Sequence, residues 1–261
     1  MCLILLAWQA HPVYPLVVAA NRDEFFSRPT AAADFWDNAP NILAGRDLSA
    51  GGTWMGITRQ GRFAALTNFR EPGKNRVEAP TRGKLVSDFL AGTVTASDYL
   101  HQLSERTAAF NGFNLLCGSV TDGFWHLSNR AEGSSPHRLV PGIYGLSNHL
   151  LDTPWPKVAQ GKSELAKALS ALPQDAPLFE LLRDANIHGD AQLPRTGVSL
   201  EWERILSAAF VRTPDYGTRS STIVRVDRLQ FVSFDEHAWL PGALSGDRRR
   251  FHFKLAGSAS S

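Results

Sequence analysis

The chain has 261 residues, of which 43% are hydrophobic and 20% are charged, and its 27 Lys and Arg residues nearly balance its 25 Asp and Glu residues. This is the composition of a globular protein long enough to bury a sizeable core. The net charge of +2 excludes the strongly basic surface that is typical of nucleic-acid-binding proteins. The two cysteines are too few for a disulfide framework, and no apolar segment reaches membrane-spanning length, so we expect a soluble cytoplasmic protein.

Two short apolar segments begin the chain, at residues 2–8 and 16–20, and both predict β-strands. Because they are apolar on both faces, they are typical of a sheet that is covered on both sides. Residues 46–69 and 112–129 each contain two strand-like runs joined by a glycine-containing turn. These runs indicate antiparallel pairing.

Helical patterns follow, and the chain then returns to strands. The predicted helices lie at residues 81–92, 95–110, 154–172, 177–184 and 199–210. Residues 220–234 predict a hairpin, and residues 251–255 predict a last short strand. This order favours an α+β fold with mainly antiparallel sheets over a doubly wound fold. We expect one domain over residues 1–255 and a frayed tail at residues 256–261.

Several familiar site motifs are missing from the sequence. The segment GRDLSAGG (residues 45–52) lacks the features of a P-loop or a dinucleotide fold, and we interpret it as a turn. No His or Cys pair has zinc-ligand spacing, and no Gly-x-Ser-x-Gly elbow occurs. The basic segment at residues 247–254 is interpreted as a solvated face, with binding of phosphate or anionic lipid as the alternative.

Polar side chains at the ends of apolar strands are stronger evidence of a functional site than any of these motifs. The run LVVAANRDEFF contains Arg22 and Asp23, AALTNF contains Asn68, and GLSN contains Asn148. Each run alone has an ordinary explanation, because such residues cap turns and helices. Together with the cysteine at position 2 of the chain, they predict a site at the ends of the strands.

Cys2 has a specific chemical use if the initiator methionine is removed. Its α-amine, with a pKa near ~8, is then a base beside a thiol whose pKa is about 8.5. Arg22 favours the thiolate, and Asp23 is suited to hold the amine in place. Such a thiolate attacks an amide or ester carbonyl and creates an oxyanion.

Neutral amide donors stabilise an oxyanion, and Asn68 and Asn148 are the candidates for that role. Arg219, in the run YGTRSST, is the candidate for binding a substrate carboxylate or a developing charge. The predicted catalytic set is therefore a thiol, a carboxylate, two amides and two guanidinium groups.

The runs AANRDEFFSRP, GRDLSAGGTWMGIT, GFNLLCG, YGLSNHLLDTPWPKV and YGTRSST resemble the NRDE family, also named for the transport and Golgi organization protein 2 of animals. That family in turn resembles the N-terminal-nucleophile hydrolases, in the branch of choloylglycine hydrolases, penicillin V acylases and acid ceramidases. The resemblance implies a four-layer αββα fold in which Cys2 is the nucleophile, Asp23 ends the second strand, and Asn68 and Asn148 follow later strands. The branch has an arginine where this chain has Ala20, so Arg22 or Arg219 is the expected substitute.

Two functions remain open from the sequence. The first is an amidohydrolase, without a cofactor, that acts on a non-peptide C–N bond of a hydrophobic small molecule. The second is a carrier of haem or an acyl lipid, in line with the membrane-traffic, lipid and haem-movement roles that the resemblance implies. In the carrier, a histidine or Cys2 would bind the haem iron. Its expected pocket walls are Trp8, Phe25, Phe26, Trp36, Trp54 and Trp155.

Overall fold

A computed structural model describes residues 2–257, which form thirteen β-strands and five α-helices. The strands are β1 (Cys2–Trp8), β2 (Leu16–Phe25), β3 (Thr30–Trp36), β4 (Ala39–Asp47), β5 (Met55–Thr58), β6 (Phe63–Asn68), β7 (Phe113–Ser119), β8 (Gly123–Ser128), β9 (His137–Arg138), β10 (Gly142–Leu146), β11 (Tyr216–Val226), β12 (Phe231–Leu240) and β13 (Leu244–Lys254). The helices are α1 (Gly83–Ala91), α2 (Ala96–Ser104), α3 (Pro156–Ala168), α4 (Ala176–Leu182) and α5 (Leu200–Ile205). Met1 and residues 258–261, which include most of the predicted tail, lie outside the described residues.

The strands form two antiparallel sheets. The six-stranded sheet has the order β10-β1-β2-β11-β12-β13, and the seven-stranded sheet runs in chain order from β3 to β9. Strands β1 and β2 form an antiparallel hairpin in the middle of the first sheet. The polar residues of β2 therefore lie in a central strand rather than at an edge.

Side chains of β1 alternate between two apolar clusters. Ile4 and Leu6 pack between the two sheets, whereas Leu3 and Leu5 face a helical layer. The alternation follows from the two-residue period of a strand, and both faces are apolar because both are covered. A third cluster joins the other face of the seven-stranded sheet to α1 and α2.

The outer layers are helical. Helices α1 and α2 pack on the seven-stranded sheet, and α3 and α4 pack on the six-stranded sheet. The α+β class and the four-layer αββα arrangement expected from the sequence are thus confirmed. Within residues 2–257, no helix is long and apolar enough to cross a membrane.

Strand β2 is longer than the sequence suggested. Asp23 does not end it, because β2 continues to Phe25 through its pairing with β11. Polar residues are tolerated in this buried strand because their side chains find hydrogen-bond partners. Asn21, for example, donates from its side-chain amide to the backbone carbonyls of Leu182 and Ala209. Strands β3 and β9 and most of β4 were not recognised in the sequence.

The basic segment near the C-terminus lies in β13, the outermost strand of the six-stranded sheet. Arg248 makes two hydrogen bonds to the carboxylate of Asp235, and Arg250 lies 3.2 Å from the same group. The segment was expected to be a solvated face. Its three arginines are exposed, but all three are ion-paired, since Arg249 lies 3.8 Å from the carboxylate of Asp34.

A carboxylate also links the two sheets. Glu236 of β12 accepts a hydrogen bond of 2.7 Å from the backbone N–H of Ala33, which lies in β3 at the edge of the other sheet. Glu236 is buried and contributes to the wall of the cavity described below.

Candidate active site

Cys2 is the first residue of β1, and its register partner on β2 is Arg22. It shares the strand face of Ile4 and Leu6, so it belongs to the face between the two sheets. Cys2 is buried, and its backbone carbonyl accepts a hydrogen bond of 3.0 Å from the Ser147 hydroxyl. The start of β1 is therefore fixed by contacts on both sides.

A cavity of about 920 Å³ opens beside Cys2. Its wall includes Cys2, Arg22, Asp23, Asn68 and Arg219, five of the six residues that the sequence predicted for the site. Seven arginines and five Asp or Glu residues line this cavity, so the wall is strongly polar. A ligand of this cavity would meet more arginines than carboxylates.

The surroundings of Cys2 keep its thiol protonated at rest. Burial raises the pKa of Cys2, and the negative charge of Asp23 raises it further. Arg22 and a hydrogen bond from the backbone N–H of Asp23 act in the opposite direction and lower that pKa. The sulfur thus has groups that stabilise a thiolate, but a base is needed to form one.

The Asp23 carboxylate is held by a hydroxyl. Thr218 donates a hydrogen bond of 2.8 Å to Oδ1 of Asp23 and accepts one of 2.9 Å from the backbone N–H of Val211. Burial raises the pKa of Asp23, whereas Lys157, the Thr218 hydrogen bond and Arg70 lower it. The Asp23 carboxylate is therefore oriented by Thr218, and the nearby positive charges favour its ionised form next to Cys2.

The two predicted arginines occupy different places. Arg22 lies opposite Cys2 and 3.8 Å from the carboxylate of Glu24, and its Nη1 donates no hydrogen bond to the described residues. Arg219 donates to the backbone carbonyls of Phe25 and Arg28, at 2.8 and 3.1 Å. Of the two expected substitutes, Arg22 is the one in register with Cys2.

The two predicted asparagines are adjacent, yet only one lines the cavity. Asn68 is half-buried at the end of β6 and contributes to the cavity wall. Asn148 is fully buried, and its side-chain amide donates a hydrogen bond of 2.8 Å to the backbone carbonyl of Asn68. The carbonyl of Asn148 accepts from the backbone N–H of Arg70, also at 2.8 Å. Asn148 thus supports the segment that carries Asn68.

The transport and Golgi organisation 2 family model matches residues 1–241 of the chain. The chain belongs to this family. It is 41% identical to a transport and Golgi organization protein 2 homolog of Bos taurus, over 92% of this chain and 94% of the relative. Identity to transport and Golgi organization protein 2 of Drosophila melanogaster is 29%, over 90% of this chain and 91% of the relative.

A solved structure shows the same fold. The Caenorhabditis elegans ortholog of N-acylethanolamine-hydrolyzing acid amidase matches with a TM-score of 0.51 and 11% identity, over 85% of this chain and 92% of that chain. The resemblance of AANRDEFFSRP and the other runs to the NRDE family predicted the family and an N-terminal-nucleophile hydrolase fold. Both predictions are confirmed.

Three charged residues near the site lie outside the predicted catalytic set, although Arg70 was noted in the sequence as a polar residue at the end of a strand. Arg70 and Glu203 form a buried ion pair of 2.8 Å, in which each side chain is 4% exposed. Lys157 is buried as well, and the charges of Asp23 and Cys2 act on it. For Lys157, the run TPWPKV indicated only the start of a helix, and nothing in a single sequence tells a buried lysine from an exposed one.

The aromatic residues named as pocket walls are spread over the fold. Of the six aromatic residues named as pocket walls, only Trp54 lines the cavity beside Cys2. Trp8 packs between the sheets, and Trp155 packs under the helical layer. Across residues 2–257 there is no group of three or more His, Cys, Asp or Glu side chains that could hold a metal ion.

Proposed function

We propose that this member of the transport and Golgi organisation 2 family is a cysteine-type N-terminal-nucleophile amidohydrolase that cleaves a non-peptide C–N bond of an acyl amide. The observation that carries the proposal is the position of Cys2. It begins a central strand, lies in the wall of a 920 Å³ cavity, and has Arg22 opposite it. A thiol, a cavity and a neighbouring positive charge in one place support a nucleophile beside its substrate.

The first step is activation of the thiol. Loss of Met1 exposes the α-amine of Cys2, which takes the thiol proton and becomes an ammonium group. Asp23 accepts a hydrogen bond from that ammonium group, since its carboxylate is oriented by Thr218. Arg22 and the backbone N–H of Asp23 stabilise the thiolate.

The second step is acyl transfer. The thiolate attacks the amide carbon, and the carbonyl oxygen becomes an oxyanion that the Asn68 side chain stabilises. The C–N bond breaks as the ammonium group returns its proton to the leaving amine. Water, deprotonated by the α-amine, then cleaves the thioester and releases a carboxylic acid, so the overall reaction is amide plus water to acid plus amine.

The fold and the cavity together support a proposed substrate class. The fold neighbour from Caenorhabditis elegans is named for hydrolysing N-acylethanolamines, which supports an acyl amide as the substrate. The arginines in the cavity wall favour a substrate whose polar part is anionic. We therefore propose an amphipathic amide in place of the hydrophobic small molecule expected from the sequence.

The test is a mass measurement followed by turnover. The intact mass of the purified protein should be short by one methionine, and Cys2 should react with a thiol reagent far faster than the buried Cys117. The protein should then hydrolyse acyl amides, and Cys2→Ala should abolish hydrolysis. Unchanged turnover in Cys2→Ala, or a retained Met1, would overturn the proposal.

The second candidate is a carrier of haem or an acyl lipid without chemistry. The family's name, which refers to transport, favours it. In this reading the cavity binds the ligand, and Cys2 is the candidate iron ligand for haem. Haem titration of the wild type and of Cys2→Ala tests it: an absorption change that saturates near one equivalent and weakens in the variant supports the carrier, and binding no tighter than to unrelated proteins ends it.

A further inference from the structure

Exposed apolar side chains lie at the mouth of the cavity beside Cys2. Val77, on the loop between β6 and α1, and Leu240, at the end of β12, both belong to the cavity wall. Leu244 is the register partner of Leu240, and Leu48 is two positions before Ala50 of the wall. Each of these four apolar side chains is at least half exposed, and together we call them the mouth patch: Leu48, Val77, Leu240 and Leu244.

Packing inside the protein does not account for the mouth patch. Residues 240–244, at the tip of the β12–β13 hairpin, read LPGAL, and all of them except Ala243 are exposed. Val77 is 95% exposed, so its side chain contributes almost nothing to a core. Exposed apolar groups are unfavourable in water, and an apolar patch with a polar rim commonly marks a protein or membrane contact.

Basic side chains flank the mouth patch. Arg76 donates hydrogen bonds to the backbone carbonyls of Ala108 and Ala109, which carry no charge to neutralise it. Arg249 lies 3.8 Å from Asp34 in an exposed pair, and such pairs contribute little. The exposed basic residues near the patch are Lys74, Arg76 and Arg249, and the exposed carboxylates are Glu78 and Asp247. Since arginines also outnumber carboxylates in the cavity wall, this face is complementary to an anionic surface.

We propose that the mouth patch docks the protein on a lipid bilayer that contains anionic lipid, with the cavity open toward the bilayer. The apolar side chains enter the headgroup region, and the basic side chains bind the anionic headgroups. A protein partner on this surface would cover the cavity, whereas a bilayer is a source of amphipathic ligands for it. The inference goes beyond the proposed function, because docking requires no chemistry at Cys2.

The experiment measures the partition of the whole chain onto vesicles by sedimentation. Vesicles of phosphatidylcholine with phosphatidylserine should bind the wild type, and high salt should release it. Val77→Ser/Leu244→Ser should weaken this binding by about tenfold, because it removes two exposed apolar side chains. The matched control is Leu229→Ser, which should bind like the wild type. Leu229 is about as exposed as Leu244, but it precedes β12 and so lies at the opposite end of that strand from the hairpin tip.

Lys74→Gln tests the contribution of charge. Lys74 is exposed on the same loop as Val77 and is not part of the cavity wall. The variant should bind vesicles with phosphatidylserine about fivefold more weakly than the wild type does. On vesicles of phosphatidylcholine alone, the two proteins should behave alike. All these changes affect exposed side chains, so the urea midpoints of the variants should match that of the wild type.

The outcomes decide between a bilayer and other partners. A wild type that binds neither kind of vesicle, or a Val77→Ser/Leu244→Ser variant that binds as tightly as the wild type, would overturn the proposal. Equal weakening by Leu229→Ser would do the same. A wild-type dimer that the double variant converts to a monomer, without vesicle binding, would assign the patch to a second copy of this chain. Cys2→Ala should bind vesicles like the wild type, so failure of docking and failure of the proposed hydrolysis are told apart.

Discussion

The side-chain amide of Asn148 donates a hydrogen bond of 2.8 Å to the backbone carbonyl of Asn68, so Asn148 lies behind Asn68 and holds its backbone. Asn68 lines the cavity beside Cys2, whereas Asn148 is fully buried beside the chain segment that follows β6. The sequence suggested two equivalent oxyanion donors. The structure places only Asn68 at the cavity, and Asn148 fixes the backbone of Asn68.

In the proposed mechanism, Asn68→Ala should lower kcat for amide hydrolysis by about 10²–10³ with little loss of stability, because it removes only the proposed oxyanion donor. Asn148→Ala should instead lower the unfolding free energy by about 1–3 kcal/mol, since it removes a fully buried amide and leaves the partly buried carbonyl of Asn68 without this partner. Steady-state kinetics and urea unfolding of both variants check the division. Equal kcat losses at equal stability would contradict it.

Thr218→Val should reduce both stability and the reactivity of Cys2. It removes the hydrogen bond to Asp23 and leaves the backbone N–H of Val211 without its acceptor, at a cost of about 1–3 kcal/mol. The matched control is Thr213→Val, because Thr213 also makes two hydrogen bonds, both to the backbone of Tyr216. Only Thr218→Val should slow alkylation of Cys2; equal slowing in both variants would assign the effect to general loosening of this region.

Glu203→Gln should be strongly destabilising. The change removes the charged carboxylate that accepts from the buried Arg70 guanidinium, and losses of about 3–5 kcal/mol are typical for breaking such a pair. Glu164→Gln is the control, because Glu164 and Lys167 form an exposed pair on α3 that contributes about 0–1 kcal/mol. Urea midpoints measure both changes. Similar midpoints for the two variants would show that the buried pair contributes no more than the exposed one.

His126 should make the protein less stable in acid. Burial lowers the pKa of His126 to about 3, with a smaller contribution from His137, so the folded state holds the neutral ring. Between about pH 6.5 and 3 the unfolded chain binds the extra proton, and stability falls with decreasing pH by about 1.4 kcal/mol per unit from this group. Above pH 6.5 the ring is neutral in both states, so His126 no longer lowers the free energy of unfolding.

Urea unfolding of His126→Leu across that pH range should give a flatter dependence than the wild type, because the variant has no ring to protonate on unfolding. His101→Leu is the control, since the His101 ring is exposed on α2. A His126→Leu curve parallel to the wild type would show that the histidine is not the source of the pH dependence.

Much of the site could be expected from local patterns, because Cys2, Asp23 and Asn68 occur in short runs whose polar residues contrast with apolar strands. The length of β2 could not, since its last residues are ordered by pairing with β11, almost 200 positions away in the chain. Lys157 was missed for a similar reason. Whether a lysine is buried depends on what packs across from it, and here Asp23 and Arg70 come from distant segments.

The hydrogen bond from the Ala33 amide to Glu236 makes the contact between the two sheets measurable by hydrogen exchange. Ala33 lies in the outermost strand of its sheet, where backbone amides commonly exchange with solvent deuterium quickly. Its amide is bound to a carboxylate of the other sheet, so it exchanges slowly only while the two sheets stay together at the cavity. The exchange rate at this one position therefore reports how often the cavity wall opens, with and without a bound ligand.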